Sequence, residues 1–287
     1  MINVFCTTQA EHIGRRLVGK PGLRVIFPEK NREGSRYFPD GEVYIRIPEI
    51  DKIEGKNFIL HAGAPNPNAG IAELELTLET LKGGGLKPGV FFTYFPYGKQ
   101  DKAFAEGETN AAESLIRKLT YYYGVDTIYI IDAHFSKRGW MAKYPITNIS
   151  VLPLLIQTAE HDYPNLLPLA PDIGGQKRTG LDGTEKTRTD SFVVKIRSNE
   201  EFKKMVAGNT VAAIDDLLET GGTLANFHEE CIRCGAKDTV AIITHGVLEM
   251  GIKRVQAKYS KLYMTNTINR PDANVDITDV VYNTLKT

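Results

Sequence analysis

The chain has 287 residues, enough for two domains of ordinary size. Lys+Arg and Asp+Glu are equal at 35 each, so the net charge is zero and a global basic field for nucleic acid is absent. The opening MINVFCTTQAEH lacks the charged and apolar regions of a signal peptide, and no apolar run is long enough to cross a bilayer. Three cysteines are too few for a disulfide framework and fit a reducing cytosol. The expectation is a cytoplasmic protein with neither nucleic acid nor membrane as partner.

Strand-like and helix-like runs alternate along the chain, which argues an α/β fold with largely parallel sheets. In the first half NFILHAG, GVFFTYFPY and TIYIIDAH read as strands. IAELELTLETLKGG and NAAESLIRKLTYYYG read as helices, each closed by glycine. MAKYPITNIS then interrupts the pattern between Trp140 and Ser150. In the second half LLPLAPD, SFVVKI, TVAAIDD, TVAIITHG and KLYMTNT read as strands, and KMVAGN is read as a turn too short for a helix. LANFHEECIRC has a helical pattern, and ITDVVYNTLKT reads as a short amphipathic helix. The two halves share a rhythm of strand, helix, strand and loop, which suggests two related domains. The expected boundaries are 1–142 and 143–287, with the final helix 276–287 free to pack on the first domain.

The segment VAAIDDLLETGGT, Val211 to Thr223, is the most informative. An apolar strand carries two adjacent carboxylates, Asp215 and Asp216, and a short turn, Glu219-Thr220-Gly221-Gly222-Thr223, leads into a helix. The free N–H groups and the dipole of a helix N-terminus favour an anion, and two glycines let the backbone approach it closely. Threonine hydroxyls add donors, and the carboxylates accept from vicinal hydroxyls. A phosphate at one end and a diol at the other describe a sugar phosphate. The alternative reading, an ordinary capped βα turn, does not require two carboxylates at the strand end.

Four other stretches carry candidate chemistry. In PDIGG, Asp172 follows a strand, where ligands of parallel sheets bind, and Gly174-Gly175 offers close backbone approach. The polar segment from Gln176 to Thr189 contains Lys177, Arg178, Lys186 and Arg188. A loop of that length reads as a lid that brings positive charge over a phosphate, or as a solvated surface loop. YFPYGKQDK presents Lys99, Gln100, Asp101 and Lys102 after a strand. His134, near Asp132 in DAHF, is either a structural hydrogen-bonder or a ligand. In YFPDGEVYIRI, Pro39-Asp40-Gly41 reads as a hairpin turn flanked by Phe38 and Glu42. Cys231 and Cys234 form a C-x-x-C near the end of a helix, where inward packing is favoured over a redox or metal role.

IDDLLETGGT resembles the ribose-5-phosphate loop of the type I phosphoribosyltransferase fold. In their common order, FPDGE, PYGKQDK, PDIGG, EKTR and IDDLLETGGT resemble the ribose-phosphate pyrophosphokinase family over nearly the whole chain. The chain is shorter than typical bacterial members and looks more like the archaeal branch. The resemblance implies two tandem type I phosphoribosyltransferase-like domains, each a mainly parallel sheet flanked by helices. It implies ATP and ribose 5-phosphate as substrates, Mg²⁺ as cofactor, and a homo-oligomer, a dimer or higher, with a shared active site. Phe38, Asp40 and Glu42 would bind adenine in a neighbouring subunit's site. Lys99, Gln100, Asp101 and His134 would bind ATP, with His134 and Asp172 toward the metal. Asp172, Gly174 and Gly175 would form the pyrophosphate-side loop, and Lys186 and Arg188 would be catalytic. Asp215, Asp216, Glu219, Thr220, Gly221, Gly222 and Thr223 would bind ribose 5-phosphate. Glu219 stands where the family commonly has aspartate, and Lys99 where it usually has arginine, whose planar head stacks on adenine as lysine cannot. The alternatives are a non-catalytic regulatory relative of the synthetase and a phosphoribosyltransferase.

Overall fold

The computed structural model describes residues 1–172, 186–188, 194–196 and 200–287, the two short middle stretches by their backbone alone. The chain divides into two compact units. The first comprises Met1–Ser150, Thr267–Asn269 and Ile277–Thr287, and the second Val151–Asn266 and Arg270–Asp276.

The first unit holds a six-stranded sheet of β1 (Ile2–Cys6), β2 (Leu23–Ile26), β3 (Lys56–Ala62), β4 (Pro88–Tyr94), β5 (Ile128–Ile131) and β6 (Ile146–Ile149). Their order is β2-β1-β3-β4-β5-β6, and every pairing is parallel. From Asn57 to Ala62 every β3 residue is buried, the unbroken run expected of a parallel sheet covered on both faces. The helices are α1 (Glu11–Leu17), α2 (Pro67–Gly83), α3 (Ala111–Tyr121) and, from the C-terminus, α8 (Thr278–Lys286). α2 begins four residues before the apolar pattern, with Pro67 in its first turn, where the missing N–H costs nothing. It buries Leu74, Leu78 and Leu81, and Gly85 follows it in the left-handed region at φ 79°. At the start of α3, Asn110 Oδ1 accepts from the Glu113 N–H at 3.1 Å, and Gly124 follows its end at φ 71°. α8 is tied to this unit by Tyr282, whose hydroxyl donates to the Pro21 carbonyl at 3.0 Å.

The second unit holds a four-stranded parallel sheet in the order β12-β11-β10-β7. Its strands are β7 (Leu167–Leu169), β10 (Thr210–Leu218), β11 (Asp238–Gly246) and β12 (Lys261–Met264). β8 (Lys186–Arg188) and β9 (Val194–Ile196) form a separate antiparallel ribbon. The helices are α4 (Leu152–Asp162), α5 (Glu200–Val206), α6 (Gly222–Arg233) and α7 (Glu249–Gln256). Among the described residues no helix is long and apolar enough to cross a membrane.

The turn expected at KMVAGN is a correction: Lys204, Met205 and Val206 close α5. Phe202 and Val206, four residues apart, are both buried, so the apolar stripe begins before the segment that looked too short. β1, β2 and β6 were not anticipated. β2 and β6 are four-residue edge strands, too short for alternation to show. Among the described residues Cys231 and Cys234 form no disulfide and are buried in the second core, and burial pushes the Cys231 thiol up to about 12, so it packs as a small apolar group.

Candidate active site

The phosphate-type turn forms at the carboxyl end of β10. Val211 to Ile214 are buried between β7 and β11. The strand continues through both carboxylates to Leu218, so alternation turns the Asp215 and Asp216 side chains to opposite faces of the sheet. Asp216 is 8% exposed. Asp215 is half-buried, and its Oδ1 accepts from the Asp216 N–H at 3.0 Å. The Asp215 charge is felt by Tyr259, whose pKa is raised first by burial and further by Cys231 and Asp215. The tyrosine hydroxyl donates to the Leu224 carbonyl at 2.7 Å, inside the first turn of α6.

After Leu218 the chain bends at Glu219 and Thr220, and Gly221 enters the left-handed region at φ 72° to start α6. No side chain caps that start, and the first turn carries no carboxylate. The amide donors of a first helical turn have no partner within the helix and point outward with the positive end of the dipole. The turn is braced from α7. The Leu218 carbonyl accepts from Val247 and Leu248 N–H at 2.8 and 3.3 Å, and Arg254 Nη1 donates to the Thr220 carbonyl at 2.7 Å. Gly251 lies against the turn so closely that a Cβ on it would be 1.9 Å from the Glu219 carbonyl oxygen. By contrast, a Cβ on Gly222 would meet nothing nearer than Thr220 Oγ1 at 3.9 Å.

The first unit carries a second cluster on adjacent loops at the carboxyl ends of β4 and β5. Lys99 and Gln100 are exposed on the loop after β4, and His134 is half-buried on the loop after β5. A Cβ on Gly98 would lie 3.6 Å from His134 Cβ, so the two loops touch. Asp101 is 4% exposed, and Arg138 grips its carboxylate at both oxygens.

FPDGE forms the expected hairpin turn. Tyr37 bridges Val43 antiparallel, Gly41 N–H donates to the Phe38 carbonyl at 2.9 Å, and Gly41 adopts φ 91°. Phe38, Asp40 and Glu42 are all exposed at its tip. The hairpin's base is held by buried Arg36, which reaches Glu11 Oε1 at 2.7 Å, Thr8 Oγ1 at 3.2 Å and Glu73 Oε1 at 3.7 Å. Glu73 is 1% exposed and also accepts from the Thr8 N–H and hydroxyl, each at 2.8 Å. Burial raises the Glu73 pKa, and the Thr8 hydrogen bonds and the Arg36 charge oppose that rise. Sequence reasoning missed Arg36 and Glu73. The available signal was a carboxylate on the buried stripe of α2, which demands a partner.

Asp172 is half-buried just past β7. Gly174 and Gly175 lie outside the described residues, as do Lys177, Arg178 and the side chains of Lys186 and Arg188. Among the described residues no three His, Cys, Asp or Glu side chains converge to hold a metal. Mg²⁺ does not need such a cage: one or two carboxylates, waters and substrate phosphates suffice.

No protein-family model matches the chain. Individual proteins do. The chain is 29% identical over 280 residues to the ribose-phosphate pyrophosphokinase of Pyrococcus abyssi, covering 91% of this chain and 94% of that protein. The enzyme of that name from Methanothermobacter thermautotrophicus is 28% identical over 268 residues, 88% of this chain and 90% of its own. Over most of its length the chain is thus similar to the ribose-phosphate pyrophosphokinases. A third pyrophosphokinase, from Nitrosomonas europaea, is 28% identical over 250 residues, but over 78% of its own length, so the archaeal relatives are matched more fully. The crystal structure of phosphoribosylpyrophosphate synthetase from Mycobacterium smegmatis has the same fold, with a TM-score of 0.80 at 20% identity over 99% of this chain and 97% of that one. The two units are thus the tandem phosphoribosyltransferase-like domains of the pyrophosphokinase architecture.

Proposed function

We propose that the chain is a ribose-phosphate diphosphokinase of nucleotide biosynthesis. It transfers the β,γ-diphosphoryl group of MgATP to the anomeric hydroxyl of ribose 5-phosphate, giving 5-phosphoribosyl 1-pyrophosphate and AMP. The observation that carries this reading is the β10–α6 turn, uncapped and free of carboxylate in its first helical turn beside two strand carboxylates, in a chain related to enzymes of that name. The anomeric oxygen attacks the β-phosphorus, the bond from that phosphorus to the α-side bridging oxygen breaks, and AMP carries that oxygen away. The hydroxyl proton leaves to a base or water. Little covalent chemistry falls to the protein, so alignment and charge stabilisation do the catalysis.

In this reading Thr220 to Thr223 hold the 5-phosphate, Asp215 and Asp216 hold the ribose hydroxyls, and Glu219 stands between them. Lys99, Gln100 and His134 bind ATP, with Asp101 beneath them. Lys186 and Arg188 neutralise charge on the group in flight, and Gly174 and Gly175 lie on the pyrophosphate side. Asp172 and His134 are the candidate Mg²⁺ ligands, and the metal would supply charge neutralisation to the ATP phosphates. In this reading the first unit, with β6 and the C-terminal helix, is the nucleotide and assembly domain, and the second unit is the sugar-phosphate domain.

Phosphorus NMR of the protein with MgATP and ribose 5-phosphate tests the reading. Equal appearance of AMP and a 1-diphosphorylated ribose supports it. Bound nucleotide without turnover indicates a regulatory relative. Pyrophosphate release from phosphoribosyl pyrophosphate and a base indicates a transferase.

Gly222→Ala separates binding from folding. The methyl meets open space, and alanine is a better helix former by about 1 kcal/mol, so the melting temperature is expected to hold or rise. The same methyl stands where the phosphate meets the backbone. The KM for ribose 5-phosphate is expected to rise about tenfold or more, the loss of one good charge-assisted contact. An unchanged KM would place the phosphate elsewhere.

The exposed hairpin tip gives an assembly prediction. If Phe38, Asp40 and Glu42 serve a neighbouring subunit, sedimentation will find at least a dimer, and activity will fall on dilution through its dissociation. A monomer with full activity would remove the hairpin from the site.

A further inference from the structure

Lys99, Gln100 and His134 stand on loops of neighbouring strands, and one buried carboxylate, Asp101, helps join those loops. Arg138 donates Nε to Asp101 Oδ2 at 2.6 Å and Nη2 to Oδ1 at 3.0 Å, a two-pronged pair that only a guanidinium makes. Trp140 Nε1 donates to the Asp101 backbone carbonyl at 3.1 Å. Phe135 packs edge-on to Phe95, centroids 5.0 Å apart, and stacks with Trp140 at 4.9 Å. Upstream of Asp101, the Gln100 carbonyl accepts from Ala112 N–H at 3.1 Å, at the start of α3. The segment 98–101 is therefore pinned at Gly98 against His134, at Gln100 against α3 and at Asp101 against Arg138. Lys99 and Gln100 project from between these anchors.

We propose that Arg138 and Trp140 are positioning residues for the nucleotide, acting through Asp101, which holds Lys99 and Gln100 in register with His134. The inference rests on the nucleotide-binding reading of those three residues. Asp101 spends both carboxylate oxygens on Arg138, so its contribution to nucleotide binding is the placement of its neighbours. Misplacing a binding group by about 1 Å costs up to about a hundredfold in rate, which sets the scale of the effect.

The test measures KM for both substrates, kcat, and the affinity for MgATP alone by calorimetry. Arg138→Gln is expected to weaken MgATP binding and raise its KM by about tenfold or more, with the KM for ribose 5-phosphate within about twofold. Arg138→Lys is expected to recover part of the loss, since lysine supplies the charge without the fork. Because Arg138→Gln leaves Asp101 buried without its cation, the double variant D101N/R138Q guards against simple unfolding. It removes both charges and is expected to keep the raised KM for MgATP while recovering melting temperature. Trp140→Phe keeps the stacking and loses the indole donor, with a rise of about threefold expected. Nucleotide affinity unchanged in Arg138→Gln, equal losses for both substrates, or a wild-type protein that binds no nucleotide would overturn the proposal. If the wild-type binds MgATP without turnover and Arg138→Gln weakens that binding, the diphosphokinase reading falls and the positioning role stands.

Discussion

Lys186→Ala is expected to lower kcat by a few hundredfold while ribose 5-phosphate still binds. Charge shifts onto the diphosphoryl group as it leaves AMP, and a cation placed there acts in the transition state more than in the ground state. Removing one such contact costs about 3–4 kcal/mol, which is about 150- to 900-fold in rate. In the proposed site the sugar phosphate sits on the separate turn after β10, so its affinity by calorimetry should be unchanged. Lys186→Arg, which retains the charge, should lose far less. Undiminished turnover in Lys186→Ala would remove that residue from the mechanism.

Gly251→Ala is expected to weaken ribose 5-phosphate binding by about a hundredfold or more although residue 251 has no role in chemistry. The added Cβ would lie 1.9 Å from the Glu219 carbonyl oxygen and its carbon 2.8 Å away, so the obstacle is backbone. Either α7 moves outward or the 219–221 turn is displaced. Overpacking of this kind costs about 1–3 kcal/mol in stability. The larger effect is on the turn, whose amides must converge on one phosphate and which is also fastened by Arg254. The KM for ribose 5-phosphate should rise by about a hundredfold or more, while MgATP affinity, which the proposed assignment places on the other unit, is retained. The comparison with Gly222→Ala is decisive: at 222 the folded protein has room for a methyl and the ligand does not. Equal behaviour of the two variants would show that the turn is not the phosphate site.

Much of the site was legible because its signals are local. Strand, paired carboxylates, Thr-Gly-Gly-Thr and helix are contiguous from Val211 onward, and each element dictates the next within a few residues. The hairpin at Pro39-Asp40-Gly41 was readable for the same reason, since a left-handed glycine after Asp is a property of the turn itself. The error at KMVAGN shows where locality fails. The helix depends on Phe202, which lies outside the segment judged, and on its burial in the second core.

The relation of Asp215 to Asp216 needed the fold. As letters they are a pair; in β10 they point to opposite faces, because the strand and its parallel register with β11 continue to Leu218. Arg36 with Glu73, and Asp101 with Arg138, are each 37 residues apart, so no periodicity links them. Buried charge requires a partner, and only the packed chain decides which one. By itself the sequence determined the alternation of strands and helices, the order of the candidate segments and the strand–turn–helix that follows the paired carboxylates, all set by short-range stereochemistry. Tertiary structure alone decided that Gly251 braces that turn, that Arg138 ties the loops of Lys99 and His134, and that Arg36 anchors the hairpin. Those contacts arise from close packing of distant segments, which leaves no trace in the local pattern.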